Sequence, residues 1–337
     1  MIPFESFHVS NSSRTIESMD ISKCHQGVFN INLRVIEWLY FSTDRMADLD
    51  NEIEEELAAW RCEVKNFLSA NVLQTITHAK EELERLDFLW GKIRIEKCIT
   101  NANLKTDIRM EGHLIVAADI EIKFTKSGRN TAVNSKLQQY CVLHQILEFH
   151  RIIESQLSQI RELEAWLLSS DVKGPSAEEE ADDTLSFETK EYAHNVNRLC
   201  EIMGEICRHL RNAGDVLRLP TRRRFPYNNH SDLRFQPALP SDVVIEMSLH
   251  RGELLIEAFQ ISETKKPPQK ILDCCSSRSE LLGSVCSLRG QNMEIVEYVN
   301  TTVMIPQLEE MLGCLDDEIK WFSHTQANAQ ALLDCLR

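Results

Sequence analysis

Ile305-Pro306-Gln307-Leu308-Glu309-Glu310-Met311-Leu312-Gly313-Cys314-Leu315-Asp316-Asp317-Glu318-Ile319-Lys320-Trp321-Phe322 decides the helical half of this protein. Apolar residues at 305, 308, 312, 315, 319 and 322 alternate by three and four, and Gln326, Ala329, Leu333 and Leu336 carry the same rhythm onward. That spacing lines one face of a helix, and Pro306 suits its first turn, where a missing N–H is not missed. Three more stripes lie upstream. One runs over 46–88 (Leu49, Ile53, Leu57, Trp60, Val64, Phe67, resuming at Ile76, Ala79, Leu83 and Leu86), with Asn51, Glu52 and Glu54–Glu56 on its polar side. A second covers about 132–169 (Ile146, Phe149, Ile153, Leu157, Ile160, Leu163, Leu167), and a third about 187–218 (Tyr192, Val196, Leu199, Met203, Ile206, Leu210, Leu217). A single stripe of this kind reads as a leucine-zipper dimer. Four in one chain predict an intramolecular bundle with small crossing angles.

Between the helices the period drops to two. Ile93–Ile99 and His113–Phe124 form one pair of strands; Val243–Leu249 and Glu253–Ile261, joined by His250-Arg251-Gly252, form another, and a weaker strand lies within 291–299. With no helix between the members of a pair, each pair is antiparallel. The predicted class is therefore α+β. An elongated antiparallel bundle of about four helices (46–90, 131–218 and 301–337) is joined to a smaller antiparallel β domain (91–130 and 219–300), both discontinuous in sequence. Two insertions into one bundle predict a single shared sheet at one end.

The 337 residues carry 37 Lys+Arg against 52 Asp+Glu, a net charge of −15 with a pI near 5.3. Nucleic acid and anionic membrane surfaces both need a basic face, so neither is an expected partner. Only 11 glycines and 9 prolines argue against an all-β fold rich in turns. The 11 cysteines are odd in number and scattered among apolar positions, as reduced cytosolic thiols are. No basic and apolar leader opens the chain, and no stretch approaches the roughly 18 apolar residues of a spanning helix. Asn11, Asn229 and Asn300 begin glycosylation sequons that mean nothing in a cytosolic chain.

Chemistry-bearing motifs are scarce. No phosphate-cradling glycine loop, His-Glu-x-x-His or Gly-x-Ser-x-Gly occurs. Cys200, Cys207 and His209 share a helix at spacings of seven and two, which do not make a zinc knuckle. Cys274-Cys275 sits in a Ser-rich loop with nothing to lower a thiol pKa. His78, His144, His150 and His194 lie in or beside helical stripes with no grouped nucleophile. No catalytic residue, cofactor or metal is expected. Two linkers stand out: 171–186, with Glu178–Glu180 and Asp182-Asp183, reads as a solvated mobile loop, and 262–280 as an exposed loop of the β part. Arg222, Arg223 and Arg224, after Arg218, read either as a cationic cap on a helix C-terminus or as a partner contact.

The most distinctive string is Phe235-Gln236-Pro237-Ala238-Leu239-Pro240-Ser241-Asp242-Val243-Val244. Pro237 and Pro240 hold the residues before them extended, and Asp242 can bond nearby amides at the strand entry, so Pro237–Asp242 is read as a structural signature or a partner contact. With the Trp60 helix, the Gly112–Phe124 strand and Val303-Met304-Ile305-Pro306-Gln307-Leu308, it resembles the Rogdi family over about residues 46–336. The resemblance implies a non-enzymatic adaptor with a helical bundle joined to an antiparallel β domain, the counterpart of the small subunit of the RAVE complex. Such an adaptor acts beside a rabconnectin-type WD-repeat scaffold to promote assembly of the peripheral sector of the vacuolar and endosomal proton-pumping ATPase (V-ATPase). It also implies a cytoplasmic protein brought to endosomal, lysosomal or synaptic-vesicle membranes by its partners, without inserting into them, and a link to the nuclear envelope. The expected state alone is a monomer; the rival reading is a coiled-coil dimerising scaffold in vesicle traffic or at the nuclear envelope. Residues 1–45 fall outside the resemblance and are expected to be a poorly ordered extension.

Overall fold

The computed structural model describes residues 43–125, 131–169, 184–219, 234–268, 281–288 and 290–336. The chain divides into two compact units, 1–48 and 49–337; of the first, only the helical residues 43–48 are described. The expected extension, apart from residues 43–45, therefore lies outside the described residues. So do the acidic loop up to 183, Cys274-Cys275, and Arg222, Arg223 and Arg224.

Helix α1 (Thr43–Asn66) runs through a wider π segment, Phe67–Val72, into α2 (Leu73–Trp90). The π segment explains the gap in the first stripe. Phe67, Leu68 and Val72 are buried within it, so the extra residue in the turn moves the apolar face into line with Ile76, Ala79, Leu83 and Leu86. Helices α3 (His144–Leu168), α4 (Thr184–Arg218) and α5 (Pro306–Asp334) complete the set. Their cross-links give the directions of packing. Lys80, Glu84 and Asp87 of α2 meet Glu164, Arg161 and His150 of α3, so these two helices run antiparallel. Gln145 and Gln156 of α3 meet Val216 and His209 of α4. Cys200, Cys207 and Arg218 of α4 meet Gln326, Ser323 and Asp316 of α5, and Thr75, His78 and Arg85 of α2 meet Thr325, Glu318 and Glu310 of α5. Each helix is antiparallel to both of its neighbours.

The strands form two antiparallel sheets, not the one expected. The first holds β1 (Arg94–Thr100), β2 (Leu104–Glu111), β3 (Leu114–Phe124), β4 (Thr131–Leu137) and β6 (Phe235–Gln236) in that order, with β5 (Cys141–Val142) on β3. The second has the order β7 (Val243–His250), β8 (Glu253–Glu263), β10 (Gln291–Met304), β9 (Val285–Leu288). The break falls at the Pro237–Asp242 string. β6 pairs with β4 for two residues only, and the chain, with two prolines that cannot donate to a ladder, then leaves to pair with β8 as β7.

Three further boundaries differ from expectation. β2 was not foreseen, so β1 pairs with it and not with β3. Residues 132–137, expected as the start of the second helix, belong to strand β4 because Val133, Ser135 and Leu137 point inward while Ala132, Asn134 and Lys136 point out, and α3 begins only at His144. The weak strand at 291–299 is the longest, reaching Met304, since Thr301, Thr302 and Val303 favour extended backbone and Pro306 sets where α5 begins.

A continuous core joins the helices to both sheets. Ile76, Leu83, Ile108, Ile122, Phe149, Met203, Ile256, Leu315 and Phe322 belong to it and are at most 1% exposed. A smaller cluster around Phe259, Ile261, Cys286 and Ile295 covers the other face of the second sheet. Both faces of β8 are thus buried, which is why it reads as a near-continuous apolar run. The β7–β8 turn fastens this sheet to α4: the amides of Arg251 and Gly252 donate to the carbonyls of Arg218 and Leu217, satisfying the helix end. Gly252 has φ of 76° and comes close to Leu312, two reasons for glycine there.

Candidate functional site

The outer face of the first sheet carries a row of side chains that crosses five strands. Register places Cys98 opposite Asp107, Asp107 opposite Asp119, Asp119 opposite Lys136, and Lys136 opposite Gln236. Beside it run Lys105, Glu121 and Asn134. These rows line a concavity of about 560 Å³ that Pro237 borders beside Gln236. Its polarity follows from the alternation of β2, in which Leu104, Thr106, Ile108 and Met110 are buried and the residues between them are exposed. Asp107 and Asp119 are like charges directly opposed, an unfavourable pair in isolation. Lys136 relieves it by an ion pair with Asp119, and this bond and the nearby charge of Asp107 raise the ammonium pKa. The groove presents hydrogen-bonding groups of both signs, with no histidine among its described lining residues. Such a surface can hold a polar or charged partner segment.

The signature string lies at the rim of this groove and serves mainly to turn the chain. Leu239 is buried, Pro237, Ala238, Pro240 and Ser241 are exposed, and Asp242 is half-buried. The Gln236–Pro237 peptide is cis, and the Ser135 hydroxyl donates to the Pro237 carbonyl. The strand entry is set by backbone: Val243 N–H donates to Pro240 O at 3.0 Å, and Ile261 N–H to Asp242 O at 2.8 Å. The Asp242 carboxylate accepts from the Gln260 side chain at 3.5 Å, not from the backbone amides expected of it.

Cys200 and Cys207 face α5, donating to the carbonyls of Gln326 and Ile319, and burial pushes both thiols up. His209 meets Gln156 of α3 instead, at 2.9 Å. The three residues that share a helix in sequence thus serve two different interfaces.

Two carboxyls that the sequence did not single out are strongly perturbed. Glu257 of β8 is fully buried, opposite the buried Glu246 of β7, and accepts from the Tyr298 hydroxyl at 2.9 Å; Asn300 donates in turn to that hydroxyl at 2.6 Å. Burial raises its pKa to about 7, against the pull of the Tyr298 bond. Native Glu257 therefore holds a proton that the unfolded chain releases near 4.5, and stability falls as pH rises from about 4.5 to about 7. Glu257→Gln keeps an acceptor for Tyr298 and removes the charge. It is expected to raise stability by on the order of 2 kcal/mol at pH 8 and to change it little at pH 5, read from urea unfolding at the two pH values. The second carboxyl is Glu318 of α5, 1% exposed and within 3.1 Å of His78 Nδ1.

Helices and two antiparallel sheets around one continuous core define an α+β protein, and within that class the chain has a family. The family described as Rogdi leucine zipper containing protein matches residues 99–330, and the chain belongs to it. No curated protein matches the chain. Among the described residues no helix is long and apolar enough to cross a membrane.

Proposed function

We propose that this protein is a non-enzymatic adaptor of a RAVE-like complex that promotes assembly of the V-ATPase through protein–protein contacts. Membership of the Rogdi family over residues 99–330 carries the reading. In it, the helical part is a four-helix bundle, which the antiparallel contacts of α2 with α3 and α5, and of α4 with α3 and α5, support. The partners are a rabconnectin-type WD-repeat scaffold and peripheral-sector subunits of the pump, which bring the protein to endosomal, lysosomal or synaptic-vesicle membranes. The polar groove on the first sheet is a contact surface suited to that role, because mixed charge at the rim of an interface favours orientation and choice of partner over raw affinity.

The dimerising-scaffold reading needs a free apolar stripe on α5. Leu308, Leu315, Phe322 and Ala329 are fully buried within the chain, which favours the monomeric adaptor.

A tagged pull-down from cells with quantitative mass spectrometry tests the proposal. Full-length protein and a version starting at Met46 are both expected to recover the WD-repeat scaffold and peripheral pump subunits. Recovery of neither, with folded bait in good yield, overturns the adaptor reading.

A further inference from the structure

The seam between α2 and α5 holds a carboxyl that the adaptor reading does not use. Glu318 Oε1 lies 3.1 Å from Nδ1 of His78, while Oε2 is buried with no hydrogen-bond partner. An ionised carboxylate with one dry, unbonded oxygen is costly, whereas the neutral acid escapes most of that penalty. The charged and titratable groups acting on it are His78 and Glu82 from α2 and Asp317 from its own helix. Cys314, one turn back on α5, donates to Glu82 at 3.3 Å, and Arg85 bridges Glu82 and Glu310. Asp317 is held by Lys320. His78 is half-exposed and leans on the ring of Trp321, so the buried carboxyl borders solvent on the His78 side.

We propose that this seam is a proton-regulated joint: protonation of the buried Glu318 carboxyl beside His78 tightens α5 on α2, and deprotonation loosens it. Burial raises the Glu318 pKa to about 7, with His78 pulling it down and Glu82 and Asp317 pushing it up. The sign is that of an acid whose folded pKa lies above its unfolded value. The folded state binds the extra proton between about 4.5 and 7, and its advantage is lost as pH rises across that window. The joint is local, because the Thr75–Thr325 hydrogen bond (3.1 Å) and the Arg85–Glu310 pair (3.2 Å) flank Glu318 along the same seam and fix where opening must occur.

Amide hydrogen exchange at pH 6 and pH 8, corrected for the intrinsic rate, tests the joint on the full chain. Protection of residues 311–325 is expected to fall about tenfold in the wild type between these pH values, while Glu318→Gln holds it constant. Carbon-13 NMR of the Glu318 carboxyl in the wild-type protein provides a reading that needs no variant, and its midpoint is expected near neutrality. Protection that does not change with pH, an unchanged slope in Glu318→Gln, or a carboxyl midpoint near that of a free glutamate would each overturn the proposal.

Discussion

Gln145→Ala is expected to cost the fold about 3 to 5 kcal/mol, because one side chain there supplies the backbone partners at the end of a helix and of a strand. Gln145, in the first turn of α3, places Nε2 within 2.9 to 3.2 Å of the carbonyls of Val216, Leu219 and Leu249, which share its two N–H groups, and accepts through Oε1 from the Leu249 amide at 2.7 Å. Val216 and Leu219 are at the C-terminal end of α4, where helix carbonyls have no partners of their own, and Leu249 is near the end of β7. Truncation strands these groups in an interior where water does not replace the lost bonds, so the cost is that of several unsatisfied polar groups and not of one net hydrogen bond. Gln145→Leu tests the mechanism: it refills the volume, so a loss as large as that of Gln145→Ala assigns the cost to the bonds. Urea unfolding followed by circular dichroism reads both variants. A loss below about 1 kcal/mol in Gln145→Ala would mean that the helix end and β7 are held by the Arg251 and Gly252 amides alone.

What the sequence showed, and what it hid, divides along physical lines. The α5 stripe was legible because Ile305, Leu308, Leu312, Leu315 and Phe322 repeat over many turns and Pro306 marks the start. The β7–β8 hairpin was legible from its two extended runs around Gly252. β2 is not among the predicted strands although Leu104, Thr106, Ile108 and Met110 alternate strictly, since Thr106 at one of the inward positions weakens the apolar signal. Residues 132–137 were drawn into the helix that follows, as local pattern alone sets boundaries poorly when a strand abuts a strong helical stripe.

The candidate site was hidden for a different reason. Cys98, Asp107, Asp119, Lys136 and Gln236 share a row only because strand register brings them together, and register depends on pairing partners that no spacing in the chain reveals. Glu257 and Glu318 were hidden because burial is a tertiary property. Glu318 stands next to the apolar Ile319 on α5 and looks in sequence like a solvated acid, and only the approach of α2 encloses it. The string Pro237–Asp242 was found from sequence because prolines constrain the chain wherever they stand, but its role as the crossing between two sheets needed the topology.

Phe322→Ala is expected to lower stability by about 3 to 5 kcal/mol, and how the variant unfolds separates an internal helix from a zipper. Phe322 is fully buried among the largest core side chains, on the same stripe as Leu315 and Ala329. Removing the ring leaves a cavity between helices that are also tied by Thr75–Thr325 and Cys207–Ser323, so the walls cannot collapse freely and the cavity cost persists. If the stripe served a dimer, unfolding would be coupled to dissociation and the midpoint would rise with protein concentration. With the stripe consumed inside the chain, the midpoints of wild type and Phe322→Ala are expected to be the same at about 1 and about 100 µM, each coinciding with a single transition. Light scattering is expected to give the 38.9 kDa of one chain for both proteins. A mass twice that for the wild type, falling to one chain in the variant, would show that the α5 stripe reaches beyond its own core and would restore the dimerising scaffold as the better reading.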